Sequence, residues 1–224
     1  MMKVFKTEHK IALLMSFFVF ISLVFIGCAS NNKDYYKTKL INKTPYDDRY
    51  VRVEKHLRNI PEKASNKQNK KLIVEKHLKK ASKFIYEADK QQDESVGAVF
   101  TDYQKVKYDH WKLPNETELT NRGDCEDKAI WLYSKLIDEG FKDVKLVTGK
   151  HRESDNNFHA WVTWHHENKI YILDPTINKG LYQVNHYPSG YYKPHYFYHR
   201  DKKWCGVVAC VIEPAPSSKQ ARKG

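Results

Sequence analysis

The sequence predicts an α+β domain, because helical periodicity fills its first half and strand-like runs fill its second, with little interleaving. Within residues 67–89, Val74, Leu78, Ala81, Ile85 and Ala88 recur at spacings of four, three, four and three, an apolar stripe on a helix. Lys70, Lys71, Lys76, Lys79, Lys80 and Lys83 occupy much of the remaining surface. They read as the water-facing side of a helix docked on a core, with a basic membrane face as the alternative. Asn121 to Asp124 form a turn into a second helix, whose buried side is Ala129, Ile130, Leu132, Tyr133, Leu136 and Ile137. Gly140 ends that helix as a left-handed cap. Strands are expected at Val144 to Thr148, His159 to His165 and Lys169 to Leu173, with Glu167-Asn168 turning the last two into a hairpin. Leu181 to Val184 and Trp204 to Ile212 are further candidates, and the tyrosine-rich Tyr187 to His199 reads as a long surface loop.

The chain of 224 residues suits one domain with appendages. Lys3, Lys6 and Lys10 precede an apolar run from Ile11 to Ile26, interrupted only by Ser16 and Ser22. That run is shorter than the ~20 residues of a spanning helix. Residues 1–27 are therefore expected to be a signal peptide. The Gly27-Cys28 pair at its end resembles a bacterial lipoprotein box, which implies lipid on Cys28 and a membrane-anchored protein of the cell envelope. An ordinary secretory signal or an uncleaved anchor is the alternative. Residues 28–50 read as the lipidated cysteine and a polar tether, 51–213 as the domain, and 214–224 as a disordered tail. The formal charge of +12 suits anionic lipid, cell-wall polymer or an acidic substrate. No nucleic-acid partner is expected, since the chain reads as exported and carries no such module. Export also makes a Cys205–Cys210 disulfide conceivable, although a strand through both would hold them on opposite faces.

Three residues carry the chemistry. Cys125 opens the second helix, His159 opens one strand, and Asp174 closes the next, thirty-four and fifteen residues on. A cysteine attacks as its thiolate, which a helix start favours; an imidazole takes the proton and a carboxylate orients it. Each has a structural alternative: a buried cysteine, a strand histidine, a turn aspartate before Pro175. The order in which they occur favours the catalytic reading. Asp124 and Glu126 flank the thiol and oppose its anion, so that compensation by the helix start, the imidazolium or a cation is needed. No spacing among His151, His165, His166, His186, His195, His199 and the cysteines matches a familiar zinc pattern.

Asp109-His110-Trp111-Lys112-Leu113-Pro114-Asn115-Glu116, followed by Gly123-Asp124-Cys125-Glu126-Asp127, resembles the signature of bacterial transglutaminase-like cysteine proteinases. The resemblance covers roughly residues 108–176. It implies a papain-like, transglutaminase-type core with the nucleophile at a helix N-terminus packed on an antiparallel sheet. It also implies Cys125, His159 and Asp174 as a triad cleaving an envelope or cell-surface protein. In calcium-dependent members of that family the cation lies near this box, which makes Asp124 and Glu126 candidate ligands of calcium; otherwise they are helix-start acids. The backbone N–H of Cys125 is the expected oxyanion donor, and the side chain that would assist it stays open. Acyl transfer to an amine, or a non-catalytic envelope lipoprotein with this fold, are the alternatives.

Overall fold

A computed structural model describes residues 36–63, 69–89, 109–152, 158–177 and 180–206. The leader, Cys28, Cys210 and the tail lie outside the described residues, and among the described residues no helix is long and apolar enough to cross a membrane. The elements in chain order are β1 (Thr38–Ile41), α1 (Asp47–Arg58), α2 (Lys70–Ala81), β2 (Ile85–Tyr86), α3 (Pro114–Thr120), β3 (Arg122–Gly123) and α4 (Cys125–Asp138). Then come β4 (Val144–His151), β5 (Phe158–His166), β6 (Lys169–Leu173), β7 (Tyr182–Gln183), β8 (Tyr192–His199) and β9 (Lys202–Gly206). Seven strands form one sheet in the order β1-β9-β8-β4-β5-β6-β7, with every pair antiparallel. The expected α+β class, with its antiparallel sheet, is what the chain forms.

Helix α1 begins where the Asp47 carboxylate accepts from the Thr44 amide at 3.0 Å and its hydroxyl at 2.8 Å. Acids in its first turn and Lys55, His56 and Arg58 in its last complement the helix dipole. Tyr50, Val53 and Leu57 face inward. Helix α2 buries Val74, Leu78 and Ala81 of the expected stripe and turns most of its lysines to water. It stops at Ala81, earlier than the stripe suggests, because Ile85 donates its amide to Asn121 O at 3.0 Å and joins a two-stranded parallel pair, β2 with β3. Helix α4 is the central one, with Ala129, Ile130, Trp131, Leu132, Tyr133, Leu136 and Ile137 all buried. It ends at Gly140, whose φ of 85° is left-handed.

Alternation on the strands divides the core into two clusters. Ala160, Val162 and Trp164 of β5 pack with the helices, while Trp161 joins Val147, Ile172, Tyr192 and Phe197 in a second cluster. Glu167 and Asn168 connect β5 to β6 with φ of 50° and 58°, as a type I′ hairpin requires.

Two expectations need correction. Residues 28–50 are not all tether: Thr38–Ile41 pairs with β9 as the sheet edge, a four-residue strand that leaves Leu40 exposed. Tyr192–His199 is no loop but an inner strand between β4 and β9. Its Pro194, normally excluded from inner strands, is tolerated at a bulge where the register with β4 shifts between Thr148 and Gly149. Of the strand expected at Trp204 to Ile212, residues 204–206 belong to β9, which begins two residues earlier, and 207–212 lie outside the described residues. Cys205 is half of a disulfide whose partner lies outside them, and Cys125 is the free cysteine of the described chain.

Candidate active site

Cys125 is the first residue of α4, with Asp124 extended at the N-cap. The Gly123 that precedes them has no room for a side chain: a Cβ would stand 2.5 Å from the Asp127 Cβ. Asp127 cannot retreat, since its wholly buried carboxylate accepts from the Lys112 amide and from Lys112 Nζ, both at 2.8 Å. Burial pushes the Asp127 carboxyl up in spite of that pair, so the contact fixes geometry more than it adds stability. One segment further, Leu113 N donates to Glu116 Oε2 at 2.6 Å, and Pro114 occupies the first turn of α3. Trp111 is buried against Tyr46, ring centroids 5.5 Å apart. The tryptophan-proline-glutamate lead-in is thus a brace that clamps the start of α4.

His159 reaches the thiol from the sheet. Its Nε2 donates to Asp174 Oδ2 at 2.7 Å, and Cys125 acts on the same imidazole electrostatically, helping to raise its pKa. Asp174, wholly buried just past β6, accepts at Oδ1 from the amides of Thr176 (2.9 Å) and Ile177 (3.1 Å), and at Oδ2 also from the Tyr192 hydroxyl (2.8 Å). Burial works to lower the His159 pKa, but Asp174, and then Cys125, outweigh it and push it up to about 10. Burial likewise works to raise Asp174, and the His159 partner and the hydrogen bonds hold it below the usual carboxylate value. Both ends of the pair thus favour the ionised state. The structure brings Cys125, His159 and Asp174 together as the spacing predicts.

The acids beside the thiol form a second constellation. Ligand oxygens of Asp89, Asp109, Asp124 and Glu126 all lie within 4.8 Å of one another. Asp124 Oδ1 and Glu126 Oε1 are buried with no hydrogen-bond partner. Burial, then neighbouring acids such as Asp127, push Asp124 up to about 7. Glu126 is pushed well up, by burial first and then by Cys125 and Asp109. The Cys125 thiol donates to Glu126 Oε2 at 3.1 Å. Four hard oxygen donors with two buried orphan atoms fit a cation such as calcium. The sequence reading found Asp124 and Glu126 but missed Asp89 and Asp109. Asp109 begins the lead-in motif and could have been suspected. Asp89 is positioned by the chain following β2, where Glu87 N donates to Gly123 O at 3.2 Å, and no local pattern announces it.

Residues 50–200 match the model of a transglutaminase-like domain. The chain therefore belongs to the transglutaminase-like domain family. No curated protein matches the sequence. Among solved structures, the chain is similar to Legionella pneumophila LapG, at 21% identity and a TM-score of 0.47, covering 76% of this chain and 86% of that one. The calcium-bound form of that protein is similar at 22% identity and a TM-score of 0.47, covering 73% and 81%. Its EGTA-treated form is similar at 21% and 0.48, covering 75% and 81%.

Proposed function

We propose that this protein is a cysteine peptidase of transglutaminase-like type, exported and held at a membrane by lipid on Cys28, that cuts an envelope or cell-surface protein. One observation carries the enzymatic reading: a free cysteine at a helix start is coupled electrostatically to an imidazole whose Nε2 donates to a buried carboxylate at 2.7 Å. The anchor rests on the apolar leader and Gly27-Cys28.

In this mechanism the Cys125 proton is lost before attack, and the thiolate, paired with the His159 imidazolium, attacks the amide carbonyl carbon. The carbonyl electron pair moves onto oxygen, facing the Cys125 backbone N–H at the start of α4. Collapse breaks the carbon–nitrogen bond, and the leaving amine takes the proton from His159. Water, deprotonated by His159, then attacks the thioester, releasing the acid and restoring the thiolate beside the His159 imidazolium. Asp174 keeps the imidazole oriented throughout. Asp89, Asp109, Asp124 and Glu126 are the residues that would hold calcium. Bound there, the ion supplies positive charge against four crowded carboxylates.

The test is alkylation by iodoacetamide at neutral pH. Cys125 should react at least tenfold faster than a free cysteine, and His159→Ala should remove the advantage. A wild-type rate equal to that of free cysteine would replace the enzyme with a binding scaffold. Incorporation of a labelled amine into protein, without cleavage fragments, would redirect the reading to transamidation.

A further inference from the structure

The bond from Tyr192 to Asp174 has no evident structural need. Asp174 Oδ1 is already held by the Thr176 and Ile177 amides, so the carboxylate is oriented without help from β8. The Tyr192 hydroxyl instead binds Oδ2, the oxygen that also accepts from His159, at 2.8 Å against 2.7 Å. Its ring is fixed for that purpose, 3% exposed and packed on Trp161, Tyr187, Tyr191 and His151 at centroid distances of 5.1, 5.0, 5.4 and 5.2 Å.

We propose that Tyr192 is a positioning residue of the cysteine centre, acting through Asp174: its hydroxyl draws charge from the carboxylate oxygen that faces His159 and limits how tightly the imidazolium is held. The proposal rests on the peptidase reading above. General acid–base work needs a proton that can be both taken and given back. His159 is already pushed up to about 10, chiefly by Asp174 overcoming burial, and a stronger acceptor would bind its proton tighter still. The other groups that face His159 are Cys125 from α4, the His151 ring at 5.6 Å from β4, and Trp161 at 6.0 Å on its own strand. Tyr192 donates to Asp174 Oδ2 from outside the His159–Asp174 pair.

The experiment is an NMR titration of the His159 ring in the intact protein. Tyr192→Phe keeps the aromatic packing and removes the donor, and should raise the His159 midpoint by about half to one pH unit. In an Asp174→Asn background the same change should leave the midpoint unmoved. Placing 3-fluorotyrosine at 192, a stronger donor in an unaltered shape, should lower the midpoint, which keeps the test open if Tyr192→Phe does not fold. A midpoint unchanged or lowered in a folded Tyr192→Phe protein, or an equal shift in the Asp174→Asn background, overturns the proposal. Iodoacetamide kinetics of wild-type Cys125 are read beside it. A slow thiol there sinks the peptidase reading, whereas the imidazole titration speaks for or against Tyr192 on its own.

Discussion

Asp174 accepts four hydrogen bonds while wholly buried, and at least one of its donors gains a charge by staying there. That coupling ties folding to pH in a direction that can be worked out. The folded pKa of His159 is raised, so its stabilisation is complete below the ordinary imidazole value near 6.5 and is lost as pH rises through about 10. The folded pKa of Asp174 is lowered, so its stabilisation is present above the ordinary carboxylate value and is lost as pH falls through the folded one. The pair therefore contributes most between about pH 4 and pH 6.5. Asp174→Asn keeps the shape and removes the charge. It should cost about 1.5–3 kcal/mol in that window and progressively less toward pH 10, as read by urea denaturation across pH. A loss independent of pH would mean that His159 is neutral in the folded protein.

At the scale of elements, the site depends on a defect in the sheet. The bulge between β4 and β8 brings their backbones so close that a Cβ on Gly149 would stand 2.1 Å from Lys193 O and 2.9 Å from Pro194 Cα. Gly149 lies opposite His159 in the β4–β5 register, so the crowded point and the imidazole share one rung of the ladder. Gly149→Ala should destabilise the protein by about 2–3 kcal/mol and also slow Cys125 alkylation, since backbone cannot yield as a side chain can. Destabilisation with an unchanged alkylation rate would uncouple the bulge from the site. This bulge is also where the sequence was hardest to read. Pro188, Gly190 and Pro194 look like loop punctuation, and only the pairing partner shows that β8 absorbs a proline at its irregular point. Strand β1 was hidden for another reason: Thr38, Lys39, Leu40 and Ile41 are too few to show an alternation. Cys125, His159 and Asp174 were legible because each marks an element boundary that periodicity defines. Tyr192, which binds Asp174, and Asp89, which joins the acid cluster beside the thiol, come from segments that only tertiary pairing brings near.

For the molecule as a whole, the chain carries a net charge of +12, yet among the described residues four carboxylates converge within 4.8 Å of one another. Such crowding is unfavourable unless protons or a cation offset it, and the two orphaned oxygens of Asp124 and Glu126 mark where an ion would find vacant lone pairs. Calcium suits the donors, and binding to the folded state alone raises stability by about 2.7 kcal/mol at a hundredfold excess over Kd. For a chain of this size that amounts to a melting point raised by about 5–10 °C at pH 7.5, relative to protein in a chelator. Magnesium should do much less, because it keeps its water and demands tighter octahedral geometry. Asp89→Asn and Asp109→Asn should abolish the response as fully as Asp124→Asn or Glu126→Gln, although they lie far from the thiol in sequence. Asp124→Asn carries an opposite signature as well: it relieves a buried repulsion, so the chelated variant should melt above chelated wild type. A calcium response that survives Asp89→Asn and Asp109→Asn would put the ion elsewhere. A response that is absent in wild type would leave Asp124 and Glu126 as acids that serve only the start of α4.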